Sequence, residues 1–292
     1  KSFFIDVYQS DKLIVTDTKA RSFFLNISNT KSKLEIGKIT KLDSNLNSTK
    51  VLDTLVIGDI IFTSYIEDKN NCRNFLISRA EIKDKSLIYE EFFREDKCAG
   101  FIQGGRMQQF TFENKQGLIF SIADNLADKP NNDPQSDNSN FGKIIFKSFD
   151  KEKKIVFSKG HRNPQGLLVL DEVILETEHG PMGGDEINKI IYKGNYGWPI
   201  SSYGKKYGSS EAYKQSHEEL GFLDPVFSFV PSIGISELIK IPNSFNERWQ
   251  ENFLVSSLNK LCLFRVKFDQ NFNKVIYYEE IFIGQRIRDL KH

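Results

Sequence analysis

Three polar strings between residues 160 and 199 hold the residue types that can do chemistry. They are Gly-His-Arg-Asn-Pro-Gln-Gly-Leu from Gly160, Glu-Thr-Glu-His-Gly-Pro-Met-Gly-Gly-Asp-Glu-Ile-Asn from Glu176, and Gly-Asn-Tyr-Gly-Trp-Pro from Gly194. Arg162 and Asn163 offer a planar cationic fork and an amide, which suit a carbonyl or carboxylate ligand. Gly180 permits unusual dihedrals, and Pro181 has a carbonyl but no N–H. Asp185 and Glu186 follow with two carboxylates. Bared carbonyls and carboxylates are the hard oxygen donors that calcium prefers. Taken singly, each residue has an ordinary reading: Arg162 pairs with Asp185, the glycines make turns, and His179 is a satisfied, half-buried imidazole. The whole string asks for more than that.

These residues need elements to hold them. Leu167-Leu168-Val169-Leu170, then Asp171-Glu172, then Val173-Ile174-Leu175 read as strand, tight turn, strand. The first two polar strings therefore fall on loops at one end of a hairpin, where a rigid sheet can display binding groups. Short strand candidates recur elsewhere, at 3–8, 12–16, 22–27, 51–57, 60–66, 74–82, 107–112, 118–123, 142–146, 187–192, 236–241, 253–257, 261–268 and 275–283. The 25 Phe and 10 Tyr favour strands. Turn signals between the strands suggest a sandwich, a barrel or the repeated sheets of a propeller. The best helix candidate is 209–220. Long loops are expected at 124–140 and 201–221.

The strings resemble the signature of the soluble, PQQ-dependent glucose/sorbosone dehydrogenase family of quinoprotein sugar dehydrogenases. The likeness extends upstream to Gly104-Gly105-Arg106 and downstream to Gln285-Arg286-Ile287-Arg288-Asp289. It implies an all-β, six-bladed β-propeller formed by residues 1–292 as a single domain, holding pyrroloquinoline quinone (PQQ) and calcium. In this resemblance Arg162 and Asn163 lie beside the quinone carbonyls. The carbonyls of Gly180 and Pro181 hold the calcium, and His179 and Asp185 lie near cofactor and sugar. Ser232, in Pro231-Ser232-Ile233, contacts the cofactor, as does Asn259 where some members have a lysine. Arg286 and Arg288 grip its carboxylates; alternation along a strand would place both on one face. Arg162 and Asp185 are the catalytic candidates. The implied site is a periplasmic or secreted enzyme's, oxidising an aldose C1 hydroxyl by hydride transfer.

The gravest departure from the pattern lies upstream of Arg106. The family's general base is a His four residues before the Arg of Gly-Gly-Arg, and that position is Ile102. An isoleucine accepts no proton. The alternative function is a non-catalytic propeller that binds a sugar, an anionic ligand or a protein partner.

Forty basic and 39 acidic residues give a net charge of +1, with no bias towards nucleic acid. No apolar run is long enough for a membrane-spanning helix. The chain opens Lys1-Ser2 without Met, which leaves open a signal, a tether, or a neighbouring domain or subunit. Family members continue past the match to Arg288-Asp289, so a fragment, or a propeller that closes differently, is expected. Cys262 reads as a buried thiol. The spacing leaves open whether Cys72 and Cys98 are bridged.

Overall fold

The computed structural model describes residues 2–30, 33–100, 103–125, 132–213 and 215–292. Its contacts divide into two compact units, Lys1–Ala99 with Lys291–His292, and Gly100–Leu290.

The first unit contains two four-stranded antiparallel sheets. Phe3–Val7, Lys12–Asp17, Ser22–Thr30 and Lys33–Lys41 pair in chain order. Lys50–Ile57, Ile60–Lys69, Cys72–Glu81 and Glu90–Arg94 form the second sheet, again with chain neighbours side by side. Six successive residues of Ile60–Lys69 are buried, so both faces of that inner strand are covered. That is why it reads as a continuous apolar run rather than an alternation. Cys72 and Cys98 are joined in a disulfide, and the Ala99 N–H bonds the Arg73 carbonyl (3.0 Å).

The second unit contains three sheets. The first holds Gly104–Phe112, Lys115–Ile122, Lys143–Ser148 and Lys154–Lys159, with Gly194–Asn195 added in parallel at its edge. The next holds Pro164–Leu170, Val173–Glu178, Asp185–Ile190 and Phe227–Phe229. The last holds Ile235–Lys240, Phe253–Ser257, Cys262–Phe268 and Val275–Phe282. Ile119, Phe146, Leu167 and Ile174 share one core cluster; Leu175, Ile187, Leu238 and Phe264 share another. The middle sheet thus buries apolar residues on both faces. Each such side chain taken from water contributes roughly 1.5–3 kcal/mol.

Inner strands of the three sheets approach closely. The Thr177 hydroxyl donates to the Ser236 carbonyl (2.5 Å) and Arg106 Nε to the Gln165 carbonyl (2.6 Å). Gly166 sits at this approach: a Cβ there would lie 2.6 Å from Thr177 Oγ1 and 2.8 Å from the Ser236 carbonyl.

Two expectations are corrected. Five blade-like sheets of four or five strands are present among the described residues, not six. After Phe282 the described chain forms no further strand, but runs as an irregular segment over 283–292. The helix expected over 209–220 shrinks to His217–Leu220, capped by Ser216 and Glu219. Left-handed dihedrals at Gly208 and Ser210 interrupt any earlier helix, and Lys205 bridges Ala212 instead.

Candidate active site

The hairpin Pro164–Leu170 and Val173–Glu178 brings the first two polar strings together. Pro164 lies opposite Glu178 in the ladder. Glu178 Oε2 accepts the backbone N–H groups of Arg162 (2.7 Å) and Asn163 (3.2 Å), so a buried carboxylate fixes the loop. Arg162 Nη1 donates to the His179 carbonyl (2.9 Å), and its guanidinium lies over the rings of Trp198 (5.3 Å) and Tyr207 (5.9 Å). Asn163 donates to Gln103 Oε1 (2.9 Å) and accepts from Gln165 Nε2 (2.8 Å). Both loop residues are therefore held in place before any ligand arrives.

Asp185 is the clasp of the second string. Oδ1 accepts the Gly180 N–H (3.2 Å) and the Ser232 hydroxyl (2.8 Å). Oδ2 accepts the N–H groups of Ile233 (3.0 Å), Gly234 (2.7 Å) and Ile235 (3.0 Å). One buried carboxylate thus ties the turn after His179 to the turn at 232–235. The ordinary sequence reading, Arg162 paired with Asp185, is replaced by this arrangement. Gly180 is required because a Cβ there would sit 2.2 Å from the carbonyl oxygens of Gly183 and Gly184. The Pro181 carbonyl accepts the Tyr207 hydroxyl (2.7 Å). A carbonyl keeps a second lone pair, so this one can still take a cation.

His179 Nε2 lies 2.6 Å from the Ile235 carbonyl. A carbonyl accepts, so Nε2 carries the proton and Nδ1 is left as the acceptor, 3.4 Å from the Asn163 amide nitrogen. Burial pushes the imidazole pKa down, and the charges of Arg288 and Arg162 push the same way against Asp185 and the Ile235 carbonyl. His179 is thus a neutral ring beside two cations.

Arg286 and Arg288 lie on the segment after Phe282. Arg106 is the bolt that holds it. Nearly fully buried, it pairs with Glu237 (2.9 Å) and Asp289 (3.0 Å) and donates to the carbonyls of Gln165 (2.6 Å) and Arg288 (2.7 Å). Arg286 Nη1 bonds the Leu258 carbonyl (3.0 Å), and Arg288 bonds Gln165 Oε1. Burial first, then the like charges of Arg106 and Arg286, hold Arg288 down at about 10. Arg286 and Arg288 occupy irregular backbone, not the strand expected for them.

The family model described as glucose/sorbosone dehydrogenase matches residues 5–292. The chain belongs to that family. It is 32% identical to an uncharacterised protein of Synechocystis over 258 residues, covering 79% of this chain and 61% of that protein. It is 33% identical over 142 residues to an aldose sugar dehydrogenase of Escherichia coli, covering 47% of this chain and 38% of the relative. The chain thus spans less than two thirds of either relative's length. The fold is that of the PQQ-bound aldose sugar dehydrogenase from Streptomyces coelicolor, an all-β propeller, with a TM-score of 0.70 at 19% identity over 99% of this chain and 83% of that one.

Within this member of the family, the structure gathers Arg162, Asn163, His179, Gly180, Asp185 and Ser232 around the two clasped turns. Arg288 joins them through Gln165, whose amide also bonds Asn163. Asn259 is exposed, with its N–H on the Ile233 carbonyl (3.1 Å). Ile102 lies outside the described residues. A small cavity of about 10 Å³, lined by Arg162, Glu178, His179, Gly180 and Trp198 among others, opens beside the loop. A larger one, of about 710 Å³, lies in the first unit around Ile57, Arg79, Ile88 and Tyr89, and none of the residues around the clasped turns lines it.

Sequence reasoning missed Glu176, Glu178, Gln165 and Glu237. The first two had a signal: in Ile-Leu-Glu-Thr-Glu they stand two apart on a strand, hence on one face. Buried glutamates on one face call for partners. Among the described residues no helix is long and apolar enough to cross a membrane.

Proposed function

We propose that Gly100–Leu290 carries the quinone and calcium site of a sugar dehydrogenase that oxidises an aldose at C1. The observation behind this reading is the cationic group around a bared-carbonyl turn: Arg162, Arg286 and Arg288 beside His179, Gly180 and Pro181. Arg288 is held down first by burial and then by the like charges of Arg106 and Arg286, and an anionic ligand with several carboxylates would relieve that crowding. Calcium suits the carbonyls: among the described residues no hydrogen bond reaches the Gly180 carbonyl, and Pro181 keeps a lone pair. Asp185, saturated by five donors, holds the turn and is no ligand.

When bound, the quinone is a two-electron acceptor for hydride and calcium polarises it. The residues of the chain do the rest. Arg162 and Asn163 present positive charge and an amide where negative charge develops. Arg286 and Arg288 orient the carboxylates. The sugar's hydroxyl proton needs an acceptor, and Ile102 is none. Of the two remaining candidates, Asp185 has both oxygens occupied, while His179 is neutral with Nδ1 as its acceptor atom. We therefore assign proton acceptance to His179. The disulfide Cys72–Cys98 supports a periplasmic or secreted location.

The second reading, a non-catalytic propeller binding a sugar, an anion or a protein, rests on Ile102. Mixing the protein with calcium and the quinone separates the two. A bound-quinone absorbance that aldoses bleach supports the enzyme. A bound quinone that no aldose reduces favours the second reading, and failure to bind quinone contradicts the site itself.

A further inference from the structure

We propose that His161, Glu176 and Glu178, closed over by Asn188, form a buried site for one divalent transition-metal cation, distinct from the calcium position at Gly180 and Pro181. Glu176 and Glu178 share a face of Val173–Glu178, and Asn188 lies opposite Glu176 on the neighbouring strand Asp185–Ile190. His161, Glu176 and Asn188 are 0% exposed and Glu178 is 3% exposed. One donor atom from each of His161, Glu176 and Glu178 lies within 4.8 Å of the other two. Ligands around one such ion, at about 2.0–2.2 Å from it, stand roughly 3–4 Å apart. His161 Nδ1 and Glu178 Oε1 are already 3.5 Å apart.

A second observation points to a ligand. Among the described residues, His161 Nδ1 and Glu176 Oε1 find no hydrogen-bond partner although both are buried. Leaving such an atom unmatched costs roughly 1–3 kcal/mol. The other atoms of these groups are matched. His161 Nε2 bonds Ser158 Oγ (2.8 Å), and its ring stacks on Tyr196 with centroids 4.6 Å apart. The Ser158 hydroxyl can accept from Nε2–H, and in that tautomer Nδ1 presents a lone pair. Asn188 Nδ2 donates to Glu176 Oε2 (3.1 Å), Glu178 Oε1 (3.1 Å) and Glu186 Oε2 (3.4 Å), which turns its oxygen away unmatched.

Charge makes the same demand. Among the described residues no lysine or arginine side chain pairs with Glu176, Glu178 or Glu186. One amide does not offset several buried carboxylates. Burial and the neighbouring carboxylates push the pKa of both Glu176 and Glu186 up, so the alternative occupant is a proton. A proton answers one charge; a metal ion answers the charge and the bare acceptors together. One imidazole with carboxylate oxygens suits Mn²⁺ or Zn²⁺ better than calcium, which favours oxygen alone. Because Glu178 Oε2 also holds the N–H groups of Arg162 and Asn163, the ion would brace the loop from behind.

The test strips the full chain with a chelator and returns Mn²⁺ alone, without quinone or calcium. The expected result is one tightly held equivalent, displaceable by Zn²⁺, with nitrogen hyperfine coupling from one imidazole in pulsed EPR. Because His179 adjoins the carbonyl turn at Gly180, nitrogen coupling that persists in His179→Gln separates the two sites. Glu176→Gln should lower Mn²⁺ affinity at least about tenfold. If that variant fails to fold, the EPR of wild type and His179→Gln decides. No bound equivalent, bound Mn²⁺ without nitrogen coupling, or a folded Glu176→Gln that binds like wild type would each overturn the site. A metal-free wild type that Glu176→Gln stabilises assigns the cluster to protons instead.

Discussion

Asp185 and Glu186 are adjacent, and their side chains serve opposite faces of one strand. Asp185 accepts five hydrogen bonds from two turns, while Glu186 faces the Asn188 amide. Asp185→Asn tests the clasp. An amide must set its NH₂ against backbone N–H donors, so the variant should lose about 2–3 kcal/mol or more in urea unfolding and bind quinone less tightly. Unchanged stability would show that the clasp is loose. Lys143 gives a test in pH. Fully buried, its Nζ donates to the carbonyls of Asp133 (2.6 Å), Pro134 (2.9 Å) and Phe141 (3.0 Å). Burial, then Lys159, lower its pKa to about 8. Below about 8 both folded and unfolded chains carry this proton, and the folded state bears the full cost of the buried charge. Between about 8 and the usual 10.5 the unfolded chain binds more protons, so this group adds stability as pH rises. Wild type should therefore gain on Lys143→Met between pH 7.5 and 9.5 in urea midpoints; parallel curves would contradict the assignment. Residue types made Arg162, Asn163, His179 and the carbonyl turn legible. Nothing in the sequence said that Asp185 would spend both oxygens on backbone donors, because those donors lie about fifty residues away.

Strands were legible and irregular segments were not. The hairpin at 167–175 stands as read, since apolar runs either side of Asp171-Glu172 leave few alternatives. The helix at 209–220 failed because its charges and short polar residues fit a turn as well, and the dihedrals at Gly208 and Ser210 decide it. The alternation of Arg286 and Arg288 suggested a strand, yet no neighbouring ladder takes them. Their segment is pinned through Arg106 instead. Arg106→Gln should leave Glu237 and Asp289 buried without their cation and cost about 3–5 kcal/mol. It should also expose 284–290 to limited proteolysis and weaken quinone binding. Wild-type proteolysis and quinone affinity in the variant would refute the bolt. At the sheet contact, Gly166→Ala should cost about 1–3 kcal/mol in thermal unfolding, because Thr177 and Ser236 leave no room for a methyl; an unchanged midpoint would mean that the strands separate easily.

At the scale of the molecule, the all-β class followed from aromatic and β-branched runs, whereas the propeller came from resemblance, because no repeat marks the sheets in the sequence. The number of sheets was the part least legible, and among the described residues five blade-like sheets stand where six were expected. Whether this member oxidises sugars turns on proton acceptance as well as on the arginines. Ile102→His should raise aldose-dependent dye reduction by about two orders of magnitude or more in quinone-loaded protein. Equal rates in variant and wild type would show that position 102 is not where the reaction is limited.

The central claim, an anionic quinone held by arginines over a calcium-binding carbonyl turn, is tested most directly by an absorbance titration of PQQ into the calcium-loaded protein. Wild type and the Arg286→Ala/Arg288→Ala double variant are compared, with thermal unfolding to show that both are folded. Saturable binding by wild type, dependent on calcium and weakened at least about a hundredfold in the double variant, is the predicted result, each charged contact contributing about 1.5–3 kcal/mol. Wild type that fails to bind the quinone, or a double variant that binds it equally well, would contradict the account.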